Sequence, residues 1–216
     1  LSEDKIKELF IKGVNALEGI AKEVKPDYKV LTFRAGGWCV QPFNNLKAGF
    51  LETGIKIDSS VLPGIKGKSD THEYDFINAP QDEIYYFSDN VLTKKKKGEF
   101  LEIPVTTYNV NILTKLINRI KTKLPFYSEY SVYGDGNGKG SVNKKFIQKL
   151  KEPRKASLDL KYKPYLNELK KLIKRKNGII NIVSHPKSLT GLSIEAIDFM
   201  VEKKCHFITF EDFLNY

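Results

Sequence analysis

Cysteine is nearly missing from this chain of 216 residues: Cys39 and Cys205 are the only two, they lie far apart, and they fit no Cys-x-x-Cys spacing. A disulfide framework is therefore excluded, both read as small, partly buried thiols, and a reducing, cytoplasmic location is the default. Long hydrophobic runs are missing too. No stretch reaches the roughly 20 apolar residues of a membrane-spanning helix, so no integral membrane segment is expected. No signal peptide is visible. Repeats and linkers are absent, which predicts one domain over residues 1–216, long enough for a sizeable core. Histidine is scarce, at His72, His185 and His206, and Trp38 is the single tryptophan.

What the chain has in excess is positive charge. Its 36 Lys and Arg against 26 Asp and Glu give a net charge of +10. The lysines sit at helix-surface positions, as in "KKLIKRK" (170–176), without interleaved aromatics, and the run Lys94–Lys97 precedes Gly98 and reads as a loop. Charge alone is weak evidence of a polyanion partner, so no nucleic-acid partner is expected, and an acidic glycan stays open.

Hydrophobic spacing orders the elements. Residues 2–24 predict an amphipathic helix with Ile6, Leu9, Phe10, Gly13, Leu17, Ile20 and Val24 on one face, capped by Ser2, with Glu3 and Asp4 in its first turn. "KVLTF" reads as a strand, residues 41–53 as a helix ended by Gly54, and "IKIDSS" as the next strand. Residues 63–83 read as a long loop, and "IYYF" and "EFLEIPVTTY" as strands. Residues 111–123 predict a helix with Ile112, Leu113, Leu116, Ile117 and Ile120 on one side, stopped by Pro125. "YGDGNGKGS" is a solvent-exposed turn: it lacks the Gly-x4-Gly-Lys-Ser/Thr spacing of a phosphate loop. As a calcium loop it fails at Lys139 and Phe146. A helix over 163–176 turns Tyr165, Leu166, Leu169, Leu172 and Ile173 inward. A buried strand "IINIVS", a helix over 193–204 and a last strand "HFITF" follow. The alternation predicts an α/β fold with a parallel sheet or barrel.

Polar residues follow three of these strands directly: Arg34 after "KVLTF", Asp58 at the end of "IKI", and His185 after "IINIVS". Parallel strands gather their C-terminal ends on one face, where active sites sit. Each residue alone has an ordinary structural role: Arg34 in an ion pair with Asp58, Asp58 starting a turn, His185 hydrogen-bonded before a proline. Together they predict a site.

The ordered set "TFRAGGW", "GIKIDSSVLPG", "YDFINAP", "FLEIPVT" and "VSHP" resembles the polysaccharide deacetylase family, carbohydrate esterase family 4, in the branch of bacterial surface-polysaccharide biosynthesis. The resemblance runs from about residue 30 to the C-terminus. It implies a distorted, incomplete (β/α) barrel and hydrolysis of an acyl group from an amino sugar, with a carbohydrate or sugar-linked substrate as partner. It also implies a divalent metal, usually zinc, that polarises the acyl carbonyl and binds the attacking water. By the same resemblance Arg34 matches the arginine that holds the catalytic base, and His185 the acid that protonates the leaving amine. Gly37 takes the place whose backbone N–H meets the oxyanion. Asp58 supports the cleft electrostatically. Trp38 is a stacking platform for sugar, and Tyr74, Asp75 and Phe76 line the substrate cleft; the ordinary role for Trp38 is core packing.

The chain departs from the family pattern at several places. The Asp-Asp pair that supplies the base and a metal ligand does not occur, and no histidine precedes Arg34, so the metal's Asp-His-His ligands are not in this chain. Val61 and Leu62 stand where better-studied relatives have Asp-Trp, which leaves the carboxylate partner of the acid open, with Asp58 an approximation. A metal site built from His72, His185 and His206 is not expected, given the strictness of zinc geometry. Two accounts compete. One, favoured because the chain begins at Leu1 inside a helix, is that the first one or two β-α units are lacking. The other is a degenerate relative that binds glycans without hydrolysing them.

Overall fold

The computed structural model describes residues 1–81, 83–121, 130–135 and 150–215, a mixed α/β chain. The expected stop at Pro125 and the glycine-rich turn beyond Asp135 lie outside the described residues. The chain divides into two compact units. One comprises Leu1–Lys66, Asp70–Pro104 and the segment from Ile208; the other comprises Val105–Phe207 with Gly67–Ser69.

The first unit opens with α1 (Glu3–Ala21), whose N-cap Ser2 accepts the Lys5 N–H at 3.3 Å. β1 (Thr32–Phe33), α2 (Asn44–Thr53) and β2 (Ile57–Asp58) follow in the expected order, and Gly54 ends α2 in the left-handed region at φ 74°. The stretch expected as one long loop carries two short strands, β3 (Lys66–Lys68) and β4 (Glu73–Asp75); β5 (Tyr85–Phe87) and β6 (Phe100–Glu102) come next. The sheet order is β1-β2-β6-β5, with β1, β2 and β6 parallel and β5 antiparallel to β6. Phe10, Phe33, Phe43, Phe50, Phe87 and Phe100 form an aromatic core, with adjoining ring centroids such as Phe43–Phe87 at 4.8 Å and Phe87–Phe100 at 5.6 Å. These spacings and tilts are those that the ring quadrupole favours.

In α1 the apolar stripe is mostly uncovered. Val14 is the helix's buried residue, while Leu9, Leu17, Ile20 and Val24 are exposed. Helical periodicity locates an apolar stripe without saying what covers it. Phe10 does face inward, and it approaches α2 where Gly49 has no side chain: a Cβ there would lie 2.6 Å from the Phe10 ring. Gly49→Ala must push that ring aside, and overpacking of this kind costs about 1–3 kcal/mol. Urea denaturation should show the midpoint falling with an unchanged m-value.

In the second unit, β7 (Thr107–Tyr108) pairs antiparallel with β8 (Arg154–Lys155). Of the remaining helices, α4 (Lys163–Arg175) and α5 (Gly191–Glu202) pack through Leu166, Leu169, Ile173, Leu192, Ala196 and Met200, close to the predicted pattern. Thr190 caps α5 in a reciprocal capping box with Ser193. α3 (Ile112–Lys121) forms as expected, but Ile112, Leu113, Ile117 and Ile120 are exposed. Neither "IINIVS" nor "HFITF" is a strand. The first makes an isolated parallel bridge, with Val183 N–H donating to Ala156 O at 3.1 Å and Leu158 N–H to Val183 O at 3.0 Å. In the second, Phe207 and Ile208 are exposed, so the apolar alternation has no burial to enforce it. Among the described residues no helix is long and apolar enough to cross a membrane.

Candidate functional site

The register of the sheet builds the site. Phe33 lies opposite Asp58, Asp58 opposite Glu102, and Glu102 opposite Tyr85, so one row crosses all four strands. Arg34 stands one residue beyond that row. In-register residues on parallel strands point to the same face, about 4.8 Å apart, which sets the two carboxyls side by side. Arg34 and Asp58 are thus brought together as the sequence predicts. Glu102 joins them unpredicted: it sits inside an apolar run, where alternation alone gave it no role.

Both carboxyls are fully buried. Asp58 Oδ1 accepts from Ser60 Oγ at 2.6 Å and Oδ2 from Ser60 N at 3.2 Å. Glu102 Oε1 accepts from Val61 N at 3.2 Å. Glu102 Oε2 meets no N–H or O–H donor among the described residues. A buried carboxyl oxygen in that position is satisfied when it carries a proton of its own. Burial is the first cause holding Glu102 well above the ordinary carboxylate range, with the Asp58 charge and hydrogen bond adding to it. The Val61 N–H and the Arg34 charge oppose. Burial also raises Asp58, against hydrogen bonds from Glu102, Ser60 and the Ser59 amide. Asp58 has more donors, so Glu102 is the neutral member. Facing both, Tyr85 is pushed upward by burial and by the two carboxyls, and its hydroxyl donates to Val91 O at 2.5 Å.

Arg34 makes no ion pair within 4 Å of either carboxyl among the described residues. Its Nε donates to Ser59 O and its Nη2 to Ser59 Oγ, both at 2.8 Å, and the guanidinium lies 5.9 Å from the Phe210 ring centroid. Burial lowers its pKa against the pull of Asp58 and Glu102, although much of the residue is still open to solvent. The expected Arg34–Asp58 pair is therefore relayed through Ser59 and the low-dielectric space between them.

After Arg34 the chain makes a tight turn, Gly36–Trp38, in which Gly37 (φ 62°) and Trp38 (φ 67°) are both left-handed. Gly37 is required twice over. Its φ disfavours a side chain, and a Cβ would lie 1.7 Å from His72 Cδ2. His72, in the loop before β4, is thus packed against this turn, with Nδ1 2.7 Å from Thr71 Oγ1. Gly37→Ala should cost at least the roughly 1–2 kcal/mol of a left-handed L-residue, plus displacement of His72. Chemical denaturation checks this against Gly36→Ala, where a Cβ meets nothing within 4 Å.

The residues expected to line a sugar cleft are corrected in part. Tyr74 and Phe76 are buried, with stacked rings at 5.3 Å, and Phe76 has no exposed surface to offer a ligand. Asp75, between them, faces out, and Gln41 brackets its backbone at 2.8 and 3.1 Å. Trp38 is half-buried.

His185 lies in the second unit, and its partner is Asp159, a residue the sequence reading passed over. Asp159 Oδ2 is 2.7 Å from His185 Nδ1, and Oδ1 accepts the His185 backbone N–H at 2.9 Å. Asp159 is in turn placed by its own N–H donating to Ser157 Oγ at 3.0 Å. With Nδ1 engaged, Nε2 is the ring atom left for a substrate, and the histidine side chain is 55% exposed. The carboxylate partner of this histidine is thus Asp159, and Asp58 belongs to the Glu102 pair.

Comparison with protein-family models, curated proteins and solved structures finds no match to this chain.

The metal implied by the family resemblance does not fit the residues described. No group of three or more His, Cys, Asp or Glu among them is placed to hold an ion. Asp58 and Glu102 are enclosed, while His185 Nδ1 is held by Asp159. No chemical step is drawn through a metal.

Proposed function

We propose that the chain is a carbohydrate N-deacetylase-like hydrolase that removes an acyl group from an amino sugar of a bacterial surface polysaccharide. The observation that carries this reading is the Asp159–His185 pair. A carboxylate that takes both the backbone N–H and Nδ1 of one histidine fixes the orientation of the ring and leaves Nε2 outward. Nε2 then delivers its proton to an amine leaving group, which departs poorly as an anion.

The other roles follow from the five-motif resemblance. By that resemblance the Gly37 N–H meets the developing oxyanion, and Arg34 would hold a base of the kind supplied by the Asp-Asp pair that this sequence lacks. The parallel β1–β2–β6 run, with polar residues at its C-terminal ends, agrees with a distorted, incomplete (β/α) barrel. The test is release of free amine and carboxylate from an N-acetylglucosamine oligosaccharide by the naturally expressed protein. Equal product with and without enzyme would sink the reading.

A further inference from the structure

We propose that Glu102 is a positioning residue for the Arg34–Trp38 turn, acting through its register neighbour Asp58 and through Ser60. The connection is continuous. Asp58 holds Ser60 by its amide and hydroxyl, Ser60 Oγ accepts the Ala35 N–H at 2.8 Å, and Ser59 takes two hydrogen bonds from Arg34. Ser59 Oγ donates on to Ile103 O at 2.8 Å, next to Glu102 on the chain. Glu102 grips the other end of the same segment at Val61 N. The Asp58–Val61 segment is therefore clamped between β6 and the turn.

The turn needs such a clamp. Two consecutive left-handed residues, one of them Trp38, persist only where the surroundings over-determine them. Ionising Glu102 would put two anions side by side in a buried site and leave Oε2 without a donor, so the clamp loosens. The charged and titratable groups facing the pair are Arg34 after β1 and Tyr85 on β5, with Glu83 acting on Tyr85. Beside the turn, His72 lies against Gly37 and the Cys39 thiol donates to Gly37 O at 3.5 Å.

The inference rests on the proposed function only in treating this turn as part of a site, and its test needs no catalysis. Trp38 is the sole tryptophan, so its emission reports this turn in the intact protein. Wild type should show a one-proton emission change above the ordinary carboxylate range while circular dichroism stays native. Glu102→Gln, which still donates to Asp58, should hold the low-pH spectrum throughout. Glu102→Leu, which cannot donate, should give the loosened spectrum at every pH, and His72→Gln should keep the wild-type transition. A transition absent from wild type, retained in Glu102→Gln, or lost only in His72→Gln overturns the proposal. If amine release fails while these spectra behave as described, the functional reading falls and the positioning role stands.

Discussion

His185→Ala should lower amine release from an N-acetylated amino sugar by about 10²–10⁴-fold, the usual contribution of a positioned general acid, with little change in KM. The loss belongs to the transition state, because the proton moves only as the C–N bond breaks. Asp159→Asn should lose less, for a countable reason. The aspartate accepts two donors from His185, one on each oxygen. Asparagine has a single acceptor, so either the backbone N–H or Nδ1–H must face its NH₂ group. The ring then tilts or takes the other tautomer. Steady-state kinetics on both variants, with near-ultraviolet circular dichroism to confirm the fold, checks the order wild type, Asp159→Asn, His185→Ala. Equal rates for all three would remove the pair from the mechanism.

Stability should fall as pH rises above the ordinary carboxylate range, and Glu102→Gln should weaken that fall. Glu102 keeps its proton in the native state, since its pKa there lies well above the ordinary value, whereas in the unfolded chain it ionises near the usual carboxylate range. Between those two pKa values the unfolded state binds one proton fewer than the native state. The slope of unfolding free energy against pH is then negative, about 1.4 kcal/mol per pH unit for one proton. The stabilisation is fully present below the unfolded pKa and is lost as pH climbs through the native one. Exposed carboxylates act on the opposite side. Glu8, Glu18, Asp89 and Glu195 are lowered by hydrogen bonds from lysines, so their contribution is lost only as pH falls. Urea denaturation at pH values stepped upward from the ordinary carboxylate range therefore isolates the pair. Glu102→Gln should match wild type at the acid end and exceed it at the upper end. A flat wild-type profile would show that Glu102 is ionised in the fold.

Local signals carried the caps, the α2 stop at Gly54, and the buried face of α4, because each is decided within a turn or two of helix. The apolar stripes of α1 and α3 were legible as faces, but their exposure was not, because period fixes a face while only tertiary packing covers it. "HFITF" alternates like a strand, but pairing depends on a neighbour that sequence does not name. Of the site, Arg34 and Asp58 were legible as polar residues ending apolar runs. Glu102 carried a faint signal, an acid between Leu101 and Ile103 that the strand has to bury. Asp159 sits likewise in "SLDL", between Leu158 and Leu160, in a stretch with no assigned element. A carboxylate flanked by apolar neighbours is costly to bury without a partner, and that cost is the clue to look for one.

The claim that His185 protonates the departing amine is tested most directly by changing the leaving group. Wild type and His185→Ala would each be given an N-acetyl amino sugar and an acetate ester of an acidic phenol, which leaves without being protonated. The variant should lose about 10²–10⁴-fold on the amide and stay within a few-fold of wild type on the ester. Equal losses on both substrates would contradict the account, showing that His185 serves binding or folding rather than proton delivery.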